Sequence, residues 1–172
     1  MPDPIIVIPY QASWQDQFHR LQDRLNEALG VLAERIEHVG STAVPGLWAK
    51  PIIDLDIVVS TKTEFESIRS CLEEHGYDYL GNQGVPSREA FSLREPDPTI
   101  PDHHLYVCRA DSVEFQRHIA FRNHLRTHPE HAAEYSALKR NLAVKFQNDR
   151  VAYTDAKGEF IENALSETSA TD

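Results

Sequence analysis

Residues Ile36 to Val59 read IEHVGSTAVPGLWAKPIIDLDIVV. Apolar residues at Ile36 and Val39 are followed by Gly40-Ser41-Thr42, a loop with Pro45 and Gly46, and a β-branched run from Ile52. That order predicts a strand over residues 36–39, a loop, and a buried strand over residues 52–59. Side chains alternate along a strand, so Asp54 and Asp56 share one face while Leu55 and Ile57 take the other. Two carboxylates about 7 Å apart on an apolar strand repel each other and are poorly solvated, so a positive charge is expected beside them. A divalent cation meets that need, and hard oxygen ligands select Mg²⁺ or Mn²⁺. Gly40 lets a backbone approach a ligand closely, and the amides and hydroxyls of Gly40, Ser41 and Thr42 can bond phosphate oxygens. Lys50 adds a mobile positive charge just before the second strand. Either piece alone is common, since Gly-Ser occurs in many turns and Asp-x-Asp on many exposed strand faces. In this order, with 13 residues from Ser41 to Asp54, the combination is more specific.

Upstream, Trp14, Phe18, Leu21, Leu25, Ala28, Leu29 and Leu32 follow helical spacing, with Ser13 as the expected N-cap. Downstream, residues 63–75 read as a helix closed by Gly76, and residues 90–94 and 104–109 as strands around the Pro-rich turn EPDPTIPD. After Asp111 the pattern predicts three helices, broken at Pro129 and near Asn148-Asp149. Strands first and helices last indicate one α+β domain over residues 1–172. It comprises a strand-rich part to about residue 110, a helical part over about 111–165 and a frayed tail over 166–172. The early helices back a small mixed sheet, and the C-terminal helical half packs on or beside it.

A chain of 172 residues suits one core rather than two. Its 27 acidic against 17 basic residues argue against a protein that grips long nucleic acid, which needs a clustered basic surface. A small phosphorylated ligand remains compatible, because a metal ion and a few cationic side chains reverse the field inside a cleft. The sequence contains no apolar run that spans a bilayer and no signal-peptide pattern at MPDPIIVIPY, so a cytoplasmic protein is expected. Cys71 and Cys108 lie alone in apolar patterns and read as reduced thiols.

The segment HVGSTAVPGLWAKPIIDLDIVV, residues 38–59, closely resembles the hallmark of the GrpB family, a branch of the nucleotidyltransferase superfamily whose fold is shared with DNA polymerase beta-like enzymes. PYQASWQDQF at residues 9–18 resembles the family's opening. His104-Leu105, RHIAFRNHLRTHPE, EYSALKRNLA and YTDAKGEFI extend the likeness over nearly the whole chain. The resemblance implies a minimal nucleotidyltransferase fold, with Gly40 and Ser41 as the phosphate loop and Asp54 and Asp56 as metal ligands. It implies attack by an acceptor hydroxyl on the α-phosphate of a nucleoside triphosphate. That superfamily usually completes its site with a third carboxylate on a later strand, which this sequence lacks. The strand reads DHHLYV instead, with His104 matching the family's His-Leu-His and Tyr106 replacing the second histidine. His104 is the candidate general base or third ligand.

Two functions follow. One is metal-dependent transfer of a nucleotidyl group from a nucleoside triphosphate to a small-molecule or protein acceptor. The alternative is a non-catalytic nucleotide-binding or regulatory module. Such a module could be accessory to coenzyme A metabolism, because the family also occurs fused to a kinase of that pathway. The chain itself has no Walker loop.

Further candidates carry competing structural readings. Arg88 is a candidate phosphate contact or an edge charge that blocks aggregation. Lys157, four residues after Tyr153, is a candidate phosphate ligand or, with Asp149, part of an intrahelical ladder. Trp14 belongs to the core, and Trp48 either covers a bound base or packs its loop. His124, His128 and His131 are expected to be solvated or at helix ends, since no cysteine completes a tetrahedral set.

Overall fold

The computed structural model describes residues 4–33 and 35–169. Helix α1 (Ser13–Leu29) forms because Trp14, Phe18, Leu21, Leu25 and Leu29 recur every three or four residues, and all five are buried. Its N-cap is Ala12, without a side-chain bond, so Ser13 is the first helical residue rather than the cap. A 3₁₀ turn over Gly30–Leu32 leads to strand β1 (Arg35–Val39). A second such turn, Ser41–Ala43, and a loop precede β2 (Ile53–Val59). In α2 (Lys62–Glu74), Thr61 and Glu64 form a reciprocal capping box. Strands β3 (Tyr77–Gly81), β4 (Arg88–Leu93) and β5 (His103–Arg109) complete the sheet.

Strand order is β1-β2-β5-β4-β3, with β2 and β5 parallel and every other pair antiparallel. One face of β2, formed by Ile53, Leu55, Ile57 and Val59, packs with Leu105, Val107 and Phe91 against α1 and α2 as the main core. The other face carries Asp54, Asp56 and Val58, and Val58 packs with Cys108 beneath Phe115 of the next helix. The fold is therefore the expected mixed sheet with early helices on one side. Cys71 and Cys108 are free thiols.

Among the described residues the C-terminal half contains four helices rather than three: α3 (Val113–Thr127), α4 (Pro129–Lys145), α5 (Arg150–Asp155) and α6 (Gly158–Ser169). Asp149 caps α5 by accepting from Ala152 N, so it takes no part in a salt-bridge ladder. The chain then turns through Ala156 and Lys157 before Gly158 opens α6. The helix reaches into the segment expected to fray, as far as Ser169; residues 170–172 of that tail lie outside the described residues. Among the described residues no helix is long and apolar enough to cross a membrane.

Candidate functional site

The register places Asp54 beside His104 and Asp56 beside Tyr106 across the parallel β2–β5 pair. His104 Nδ1 donates to Asp54 Oδ1 at 2.8 Å. The other oxygen of Asp54 faces the turn after β1, where Gly40 has φ 71. A Cβ at Gly40 would lie 2.2 Å from Asp54 Oδ2, so only glycine allows the turn and the carboxylate to approach this closely.

Asp56 is fully buried. His118 of α3 donates from Nδ1 to Asp56 Oδ2 at 2.6 Å, and its Nε2 lies 3.2 Å from Glu114 Oε1. Burial pulls the His118 pKa down, but the hydrogen bonds to the two carboxylates outweigh it and lift the value to about 9. Asp56 Oδ1 makes no hydrogen bond among the described residues. The Cys108 thiol lies near the Asp56 carboxylate, and burial and then this carboxylate raise its pKa.

One oxygen on each aspartate thus remains uncommitted: Asp54 Oδ2 beside the Gly-Ser turn, and the buried Asp56 Oδ1. Two hard oxygen donors on one strand face, one of them orphaned, are a donor set whose chemistry fits Mg²⁺ or Mn²⁺. No carboxylate occupies the β5 position beside Asp56, where Tyr106 stands. Glu37 on β1 also registers with Asp56, but Arg122 binds it at 2.7 Å.

Asp54 opens into a cavity of about 330 Å³. Gly40, Ser41, His104 and the amines of Lys50, Lys139 and Lys157 line it, with Phe121, Leu125 and Ile161 forming an apolar part of the wall. The three lysines crowd one another away from water. Burial and then Lys157 lower the Lys139 pKa to about 7; burial and then Lys50 lower that of Lys157 to about 8. Burial also lowers the pKa of Lys50. A chain with a formal charge of -10 therefore holds a locally cationic pocket around a single half-buried carboxylate, Asp54.

The turn is held from both sides. Lys139 donates to Ser41 Oγ at 2.8 Å and to the Trp48 carbonyl. Arg126 donates twice to the Ala43 carbonyl, at 3.0 and 2.7 Å, and Arg122 donates to the His38 carbonyl. Thr42 is buried and its hydroxyl meets His38 Nε2 at 2.9 Å. His38 stacks on Phe18, and burial drops its pKa to about 4.

Of the candidate residues, Gly40, Ser41, Thr42, Lys50, Asp54, His104 and Lys157 thus line one cavity, and the buried Asp56 does not line it. Arg88 does not. Its guanidinium lies over the Tyr106 ring at 4.5 Å and 3.8 Å from Glu114, which places it beneath α3 rather than at the pocket. Lys157 sits at the corner between α5 and α6, over the Tyr153 ring at 4.4 Å, rather than within one continuous helix. Trp48 does not line the cavity; Arg140 packs over it at 4.4 Å, so the loop-packing reading holds. His124 lies in the last turn of α3, at a helix end as expected, but is 2% exposed and not solvated, because α3 turns it inward against α4.

One contributor, His118, escapes motif reading; Lys139 is legible in the sequence only as one of several cationic residues of the C-terminal half, not as the partner of Ser41. His118 and Lys139 act across 62 and 98 residues of sequence. Their signals are indirect: His118 lies in the run RHIAFRNHLRTHPE, and Lys139 falls on the buried stripe of α4 between Tyr135 and Leu142, an unusual place for an amine.

The family profile described as GrpB protein matches residues 4–167. The glutamate-rich protein GrpB of Alkalihalophilus pseudofirmus is 31% identical over 165 residues, covering 95% of each chain. A protein of Mycolicibacterium paratuberculosis named dephospho-CoA kinase is 28% identical, over 94% of this chain and 45% of that protein. The crystal structure of GrpB from Enterococcus faecalis superposes with a TM-score of 0.81 and 34% identity, over 95% of this chain and 96% of that one. The MgGTP-bound Cid1 poly(U) polymerase superposes with a TM-score of 0.55 and 12% identity, over 77% of this chain and 42% of Cid1, a likeness of fold alone. The chain belongs to the GrpB family, and its mixed sheet with flanking helices is similar in fold to the nucleotidyltransferases.

Proposed function

We propose that the cavity binds a nucleoside triphosphate and that the chain transfers its nucleotidyl group to a hydroxyl of a small molecule or protein. The observation that supports this reading is the meeting, in one cavity, of a Gly-Ser turn set against Asp54 with the amines of three lysines. Crowded amines with lowered pKa values gain most from a polyanion, which favours a triphosphate over a neutral ligand. Ser41, whose oxygen accepts from Lys139, keeps its own O–H to donate to a phosphate oxygen.

In the transfer the acceptor oxygen bonds to the α-phosphorus, the bond from that phosphorus to the bridging oxygen breaks, and pyrophosphate leaves. The acceptor proton passes to a base. His104 suits that role: its Nδ1–H donates to Asp54, which leaves Nε2 as the acceptor on a ring that lines the cavity. Asp54 and Asp56 would hold Mg²⁺ or Mn²⁺, which neutralises and orients the phosphates. Gly40 and Thr42 shape the turn, while Lys50 and Lys157 meet the outer phosphates.

A second reading rests on Tyr106, which stands beside Asp56 where a third carboxylate would complete the metal site, and on His118, whose charge already balances Asp56. It is nucleotide binding without transfer, in a module accessory to coenzyme A metabolism, in keeping with the kinase-named relative. One experiment separates the readings. Each nucleoside triphosphate, with Mg²⁺ or Mn²⁺, is added to the purified chain while melting temperature and pyrophosphate release are followed, with and without cell extract as acceptor. Metal-dependent stabilisation that Asp54→Ala removes is expected on both readings. Pyrophosphate release supports transfer, whereas stabilisation without release under every condition supports the binding module. Equal stabilisation of Asp54→Ala, or none with any nucleotide, defeats both.

A further inference from the structure

Three helices of the C-terminal half converge away from the cavity. Helix α3 supplies His124, α4 supplies His131 and α6 supplies Glu167. His124 Nε2 lies 2.7 Å from His131 Nδ1. Glu167 Oε2 lies 3.8 Å from the first nitrogen and 3.6 Å from the second. None of the three residues lines the pocket around Asp54. Exposure is graded, with the side chain of His124 at 1%, His131 at 25% and Glu167 at 58%, so the cluster is anchored inside and open at one side.

We propose that His124, His131 and Glu167 bind one transition-metal ion, with Zn²⁺ preferred over Mg²⁺, at a site separate from the aspartate pair. A tetrahedral ion with bonds of about 2.0–2.1 Å needs its ligand atoms about 3.3 Å apart. The three separations bracket that spacing, so small side-chain movements would complete the site. Without an ion, two imidazole nitrogens at 2.7 Å share a single proton; with one, both lone pairs and the carboxylate point at a common cation.

The donor set also fixes the class of ion. Two imidazoles and one carboxylate suit Zn²⁺ and its neighbours in the first transition row, whereas oxygen donors alone suit Mg²⁺ and Mn²⁺. His128 belongs to the wall rather than the ligand set. Its ring stacks on His124 at 4.2 Å and on His131 at 5.4 Å, and its Nδ1 donates to the His124 carbonyl at 2.9 Å. Water would supply a fourth ligand. The ion would join α6 to α3 near one end of their contact, as the Arg117–Glu162 bridge at 2.5 Å does further along. Sequence spacing hides the site because Pro129 ends α3 and redirects the chain between the two histidines.

The test uses the full chain without an affinity tag, stripped with EDTA and titrated with Zn²⁺ in excess Mg²⁺ by calorimetry, with melting temperature followed in parallel. The proposal expects uptake of one Zn²⁺ per chain and a rise in melting temperature that EDTA reverses. His131→Ala should abolish the uptake. Glu167→Gln should weaken it by about 100-fold or more, since losing even a partner that only supports a ligand costs about 10–100-fold and Glu167 is itself a ligand. Both positions are partly exposed, and circular dichroism of the variants checks that they fold. Asp54→Asn should bind Zn²⁺ as the wild type does. No uptake, uptake unchanged in His131→Ala, or uptake lost in Asp54→Asn overturns the proposal.

Discussion

Gly40→Ala is expected to lower folding stability by about 3 kcal/mol or more and to remove metal-dependent nucleotide stabilisation. Two effects add at this position. The backbone at φ 71 and ψ -171 lies in a region that essentially only glycine occupies, which costs an alanine about 1–3 kcal/mol. The new methyl would also lie 2.2 Å from Asp54 Oδ2, so the carboxylate must leave its place beside the turn. Gly46 in the same loop separates the effects: its φ is 82, yet nothing lies within 4 Å of an added Cβ. Gly46→Ala should therefore show only the backbone cost and retain nucleotide stabilisation. Equal urea midpoints for the two variants, with nucleotide stabilisation retained in both, would show that the approach of Gly40 to Asp54 has no role.

His118→Ala is expected to cost about 3–5 kcal/mol, because it strands the buried Asp56 carboxylate without its hydrogen-bonded countercharge. The same contact predicts a pH dependence. His118 has a folded pKa of about 9 against the ordinary 6.5, so the folded chain holds a proton that the unfolded chain gives up between those values. Its contribution is complete below pH 6.5, declines from pH 6.5 to 9 and is lost above; at about 1.36 kcal/mol per pKa unit it amounts to about 3 kcal/mol. The depressed lysines push the other way over part of this range, because deprotonation favours the folded state for a group whose folded pKa is lowered. The quantity to read is therefore the difference between wild type and His118→Ala, measured by urea unfolding in EDTA at each pH. A gap that narrows steadily from pH 6.5 to 9 is expected, and a gap independent of pH would contradict the assignment.

Much of the fold is legible in local sequence because the decisive elements are strongly periodic. The five apolar residues of α1 and the β-branched run of β2 can be buried in only one way each, and the pleat then fixes Asp54 and Asp56 on a common face. Strand β3 was not legible. Its segment YDYLG lies at the sheet edge, Leu80 is exposed, and an irregularity between Tyr79 and Gly81 breaks the two-residue period. The division between α5 and α6 was equally hidden, since residues 153–161 retain helical spacing across the corner at Lys157.

The site divides along the same line. The Gly-Ser turn and the aspartates announce themselves by type and spacing within one segment. The groups that hold them, His118 on Asp56 and Lys139 on Ser41, come from helices far along the chain, and only tertiary packing brings them in. Arg88 shows the converse. It is chemically suited to phosphate and close in strand order, yet Glu114 and Tyr106 hold it under α3.

The central claim is that the cavity beside Asp54 and Asp56 is a metal-dependent nucleotide site. Crystals of the full chain soaked with Mn²⁺ and a non-hydrolysable nucleoside triphosphate analogue test it directly through the anomalous signal of manganese. A peak bonded to Asp54 Oδ2 and Asp56 Oδ1 is expected, with the phosphates against Ser41, Lys50 and Lys157. Phosphates bound elsewhere, or manganese absent from both aspartates while the analogue is bound, would contradict it.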